Sequence, residues 1–206
     1  MNREAIISST KMALQQNKLS TLEKQYKNLL KNAPGSILEE YKAMQSANKA
    51  ILVESSDVVD SIRNILHDLD SKKIIYTLDL GIDISMLNNE FAISPYNKSV
   101  EGMRDELFST DTSIIRAVCG IADVGVFGLA SRSKHPRLAS LITKNCIVIL
   151  DKNNIVQSIA DGVNMLKDCG DPSNILLIAG PSRTADIELQ TVFGVHGPQQ
   201  VYIILV

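Results

Sequence analysis

At 206 residues with a 45% hydrophobic composition, the chain is long enough to bury a core of its own, and a single domain with a helical extension is expected. Its formal net charge of −2 leaves no basic footprint for nucleic acid or for an anionic membrane surface. Apolar runs such as residues 147–150 and 175–179 are far too short to cross a bilayer, and the N-terminus lacks the hydrophobic block of a secretory signal, so a cytoplasmic protein without membrane insertion is expected.

The first third reads as helix. Ser20 and Glu23 have the spacing of a capping box, and Leu22, Tyr26, Leu29 and Leu30 recur at helical intervals until the loose joint at residues 32–35. Ser36 and Glu39 repeat the device ahead of Leu38, Tyr41 and Met44. The expected organisation is an N-terminal helical region, 1–35, followed by an α/β body, 36–206. Residues 1–50 hold eight Lys or Arg against four Asp or Glu, which suits solvated helix faces or a surface that docks a partner.

From residue 50 the rhythm changes to short apolar runs alternating with helices. Residues 50–53 and 74–78 read as strands, separated by a helical face of Val58, Ile62, Ile65, Leu66 and Leu69. Residues 114–118 and 124–130 are extended, interrupted by Gly120, Gly125 and Gly128. Residues 146–150 form an apolar strand, and Ile155, Ile159, Val163 and Leu166 form a helical stripe. The continuous apolar runs 175–179 and 201–206 predict strands buried on both faces, as in a parallel sheet. Three cysteines, Cys119, Cys146 and Cys169, lie more than twenty residues apart. That spacing fits neither a disulfide framework nor a zinc or iron–sulfur motif. Reduced, mostly buried thiols and no metal site are expected, and any redox cofactor that works with this protein is expected on another chain.

Residues 180–198, GPSRTADIELQTVFGVHGP, concentrate turn punctuation and reactive side chains ahead of the last apolar run. After a strand ending near Ala179, Gly180 and Pro181 turn the chain. Ser182 or Thr184 can then cap a short helix carrying Asp186 and Glu188 in its first turn. Such a corner at the carboxyl end of a parallel strand offers unpaired N–H groups, hydroxyls and the Arg183 guanidinium to a phosphate or carboxylate. The same residues also suit a structural role, in which the hydroxyls cap a helix and Arg183 pairs with Asp186. Ile187 and Leu189 alternate with polar residues, as in a strand. Gly194, Gly197 and Pro198 frame His196 so that its side chain is held in one direction, fit for a general base, a ligand donor or a structural hydrogen bond.

The stretch from Gly180 to Glu188, followed by residues 194–198, resembles the signature of the LUD domain family, in particular its LutC/YkgG-like group. Residues 120–125 (GIADVG), residues 137–141 (RLASL) and the opening residues 2–7 are similar to other segments of that family. Two departures stand out: Val124 where the family often has Thr, and Gly128 in what is usually a more continuous strand. The resemblance implies a three-layer α/β/α sandwich with a mostly parallel sheet, similar to the sugar-phosphate isomerase and CoA-transferase (NagB/RpiA/CoA-transferase-like) superfold. It also implies a part in oxidising L-lactate to pyruvate alongside partner subunits that carry the iron–sulfur clusters, with no cofactor bound by this chain.

On that reading Gly180, Ser182, Arg183, Thr184, Asp186 and Gly197 bind a small anionic ligand. Asp123 and Glu188 orient His196 or the substrate, and His196 moves a proton. Two alternatives stay open: a stand-alone enzyme acting on a phosphorylated or CoA-linked metabolite, and a regulatory or scaffolding module docked through the basic N-terminal helices. Fold kinship alone does not choose among them.

Overall fold

The computed structural model describes residues 3–16, 35–185, 191–194 and 196–206. The chain divides into two compact units, Met1–Lys31 and Asn32–Val206. Of the first, helix α1 (Arg3–Gln16) is described, with Ile7 and Met12 exposed. The capping pattern at Ser20 and Glu23 lies outside the described residues.

In the second unit, helix α2 (Ile37–Ala47) starts at the predicted cap, where Ser36 Oγ accepts from the Leu38 N–H at 3.2 Å. It ends in a Schellman turn: Ala50 N–H donates to Gln45 O at 3.1 Å and Lys49 N–H to Ser46 O at 3.0 Å, with Lys49 in the left-handed region. The chain then builds a six-stranded sheet from β1 (Ile51–Glu54), β2 (Lys73–Tyr76), β3 (Ala92–Pro95), β4 (Thr112–Arg116), β7 (Asn145–Leu150) and β12 (Gln200–Leu205). Its order is β1-β12-β7-β4-β2-β3, and every pairing is parallel. All six residues of β7 are buried, as a continuous Val/Ile/Leu run in the middle of such a sheet requires.

One face of this sheet is covered by helix α3 (Val58–Asp68), whose Ile62, Ile65 and Leu66 pack with Ile74, Ile114, Ile147 and Ile204. The other face, carrying Ile75, Ile115, Val148 and Ile203, packs on a second sheet through Phe127 and Leu129, with Tyr41 of α2 in the same cluster. The second sheet consists of β5 (Cys119–Ile121), β6 (Val126–Ser131), β8 (Ile155–Val156) and β9 (Asn174–Ile178), in the order β8-β5-β6-β9. Helix α5 (Ile159–Lys167) closes its outer face, with Leu166 set among Cys119, Ile121, Val126 and Ala130. Gly128 makes that closeness possible, because a β-carbon there would lie 2.8 Å from both Cys119 Sγ and Leu166 Cδ1. Val124, at the other departure, directs its methyls into this same apolar cluster.

The α/β body with a mostly parallel central sheet is therefore what forms, and the layer on the α5 side has its own small sheet beneath the helix. Three local expectations are corrected. β9 is not buried on both faces: it pairs antiparallel with β6 at the edge of the second sheet and leaves Leu177 39% exposed. Ile155 belongs to β8, and the helix begins only at Ile159, after Ser158 caps it by accepting from Asp161 N–H at 3.3 Å. Residues 183–185 are not helical. Arg183–Ala185 is strand β10, paired antiparallel with β11 (Thr191–Phe193).

Candidate functional site

Ser182 joins the two ends of the 180–198 segment. Its N–H donates to Pro198 O at 2.8 Å, its carbonyl accepts from Gly194 N–H at 2.9 Å, and its hydroxyl accepts from His196 N–H at 3.4 Å. A β-carbon on Gly197 would lie 3.3 Å from that of Ser182. The serine hydroxyl is thus engaged across the loop rather than at a helix end. The anticipated helix N-terminus is absent here, because residues 183–185 form one side of a ladder, Arg183 opposite Phe193 and Thr184 opposite Val192. Arg183 and Thr184 are exposed on this hairpin, and Asp186 and Glu188 lie outside the described residues.

The loop's position in the fold also differs from expectation. Gln199 N–H donates to Lys144 O at 2.7 Å, immediately before β12 and β7 begin. His196 therefore sits at the amino edge of the parallel sheet, not at the carboxyl edge where ligands of open α/β sheets usually collect. The reason is topological: β9, which precedes Gly180, belongs to the second sheet and runs antiparallel to its neighbour β6.

At this edge lies a groove of about 670 Å³. Gly194, His196, Gly197 and Gln199 from the segment before β12 line it, together with Thr143 and Lys144 from the segment before β7. Leu138, Leu141 and Ile142 come from the segment that includes the short 3₁₀ helix Arg137–Ser140, and Val100, Leu107 and Phe108 come from the region of helix α4 (Arg104–Ser109). Of the candidate catalytic and ligand-binding residues, His196 and Gly197 line this groove.

Gly180 and the two residues after Asp123 meet a different landmark, the C-terminus of α2. The Asn48 carboxamide donates to Val124 O at 3.0 Å and to Gly125 O at 2.7 Å, while the Asn48 carbonyl packs against Gly180. The Asp123 carboxylate is hydrogen-bonded to Gln157 Nε2, which also reaches Glu40 Oε2 at 2.9 Å. Among the described residues no hydrogen bond links Asp123 to His196.

A further polar cluster lies just past β2. His135, 2% exposed, places Nδ1 3.1 and 3.2 Å from the two Asp79 carboxylate oxygens, and Arg132 Nη2 is 3.4 Å from the same carboxylate. Arg132 Nη1 also donates to Cys169 O at 3.1 Å. Burial works to raise the Asp79 carboxyl, but the hydrogen bond and charge of His135 outweigh it and hold it below its ordinary value. Leu78 N–H donates to Lys134 O at 2.9 Å, so the two segments are also joined by their backbones.

The family model for the LUD domain matches residues 38–206. The chain belongs to the LUD domain family. This LUD domain is 38% identical over 98 residues to the protein YkgG of Escherichia coli, a match covering 45% of this chain and 42% of that protein. It is 38% identical over 97 residues to Lactate utilization protein C of Bacillus subtilis, covering 42% of this chain and 38% of the relative. The alignments thus span less than half the length of these curated relatives. A DUF162 family protein from Deinococcus radiodurans has the same fold, with a TM-score of 0.61 at 21% identity, covering 84% of this chain and 99% of that one.

Within the LUD domain, two segments singled out as family-like contribute to the lining of the groove, Leu138 and Leu141 from one and Gly194, His196 and Gly197 from the other. Sequence reasoning missed Lys144, Gln199 and Phe108, which share it. Lys144 stands in an ordinary polar bend before a strand, and only strand pairing brings it beside Gln199. His135 precedes Pro136 in a polar stretch that carries no local signal, and its partner Asp79 is 56 residues away, a distance at which no spacing rule connects them.

Proposed function

We propose that this LUD domain serves lactate utilisation as a subunit of an L-lactate-oxidising system, together with iron–sulfur partner proteins, and binds a small anionic ligand at the 180–198 loops. The observation that carries the reading is its relationship to proteins named Lactate utilization protein C. Supporting it, Ser182 holds the GPS and GVHGP segments together so that His196 faces a groove it shares with Lys144. His196 moves a proton on the bound ligand, and Arg183 on the exposed hairpin receives its anionic group as it arrives. A strain lacking the gene is expected to lose growth on L-lactate and to regain it with the wild-type gene but not with His196→Ala. Undiminished growth of the deletion strain overturns the assignment.

One observation favours a second reading. A groove of about 670 Å³ is in the range that holds drug-sized ligands, and a molecule of lactate's size fills only a fraction of it. A stand-alone activity on a larger phosphorylated or CoA-linked metabolite accounts for that volume. Thermal-shift measurements against lactate, pyruvate, sugar phosphates, folates and CoA esters separate the two, since a marked response confined to a phosphorylated compound supports this second reading.

A further inference from the structure

The groove beside His196 is lined by two chemically different sets of residues. One set includes the basic side chains Lys144 and His196, and no Asp or Glu is among the described residues that line it. The positions of both are fixed by the backbone. Lys144 O accepts from Gln199 N–H at 2.7 Å and from Gln200 N–H at 3.3 Å, and His196 N–H is tied to Ser182 Oγ at 3.4 Å.

The other set is apolar and partly open to water. Phe108 is 70% exposed and Val100 41% exposed, and both line the same groove as Leu138 and Leu141. The Arg104 guanidinium lies 5.8 Å over the Phe108 ring, adding a further cation at this side. Exposed apolar side chains that gather in one concavity next to fixed cations mark a site for a ligand with both characters.

We propose that the groove binds an amphipathic carboxylate, with its carboxylate against Lys144 and His196 and an aliphatic tail laid along Phe108, Val100, Leu138 and Leu141. This rests on the reading of the GVHGP face as an anion site, but not on the lactate pathway. Calorimetric titration of the purified chain with acetate, butanoate, hexanoate and octanoate tests it. Affinity is expected to rise about fourfold for each methylene added until the groove is filled, with a negative heat-capacity change of binding.

Lys144→Gln is expected to weaken octanoate binding about tenfold, by loss of a charge-assisted hydrogen bond. Phe108→Ser is expected to flatten the chain-length dependence. Both side chains are exposed, so the melting temperature of each unliganded variant, measured alongside, stays near wild type.

Octylammonium binding as well as octanoate, or octanoate binding indifferent to both substitutions, overturns the proposal. Acetate and L-lactate binding as tightly as octanoate, with sensitivity to Lys144→Gln, also overturns the amphipathic class while leaving the anion site intact. No binding of any carboxylate removes both.

Discussion

Gly180→Ala offers the most direct measure of how the site loops are tied to the body. Gly180 has a φ of +72°, and a β-carbon there would lie 2.5 Å from Asn48 O, 3.2 Å from its carbonyl carbon and 3.3 Å from Ala50 N. The left-handed conformation costs an L-residue about 1–2 kcal/mol, and moving two backbones apart costs about 1–3 kcal/mol. The total is about 2–5 kcal/mol, which in a domain of this size lowers the melting temperature by roughly 4–20 °C. Gly170→Ala is the control: its φ is +78°, but nothing lies within 4 Å of the added carbon, so only the conformational cost applies. Differential scanning calorimetry of the wild type and both variants reads the difference. If Gly180→Ala loses no more stability than Gly170→Ala, the close approach of Gly180 to the Asn48 carbonyl does not exist and the account of the loop's anchorage is wrong.

Tyr41→Phe removes the buried hydroxyl that accepts from Gln45 Nε2 at 2.9 Å, and urea denaturation is expected to show a loss of about 1–3 kcal/mol. The Asp79 carboxyl is held below its ordinary value in the fold, so its contribution to stability is fully present above the unfolded pKa of about 4 and is lost as pH falls through the lower folded value. Melting curves from pH 7 to pH 3 should therefore show the gap between wild type and Asp79→Asn closing at the acid end, and a gap that stays constant contradicts the ion pair. Burial places the thiols of Cys119 and Cys146 up at about 11 and about 12, while Cys169 is only half-buried. Iodoacetamide at pH 8 is expected to modify Cys169 alone in the native protein and all three in urea, as read by mass spectrometry.

The central strands β7 and β12 are legible because a continuous apolar run has one stable use, burial on two faces. Helices α2, α3 and α5 are legible from their apolar stripes, and α2 also from its serine cap. Of the second sheet, β6 and β9 are legible as extended runs, but β5 and β8 are not, since β5 is three residues long and β8 two, too short for any period to show. β9 carries an equally apolar run, yet what distinguishes an edge strand from a central one is the neighbour it lacks, and that is a property of the assembled chain. The hairpin of β10 and β11 illustrates the same limit: Ser and Thr at a turn suit a helix cap and a strand alike, and pairing with residues 191–193 decides between them. Gly and Pro framing does point to His196, because backbone constraint is written locally. Lys144 and the Asp79–His135 pair depend on contacts between distant segments.

The place of β12 between β1 and β7 has a bearing on synthesis. Ile51 pairs with Tyr202, about 150 residues later, and among the described residues β1 has no other partner in its sheet. At about 5–20 residues per second, the first strand waits roughly 8–30 s on the ribosome before its ladder can form. Throughout that interval its backbone amides lack their ladder partners, which leaves this strand open to mispairing.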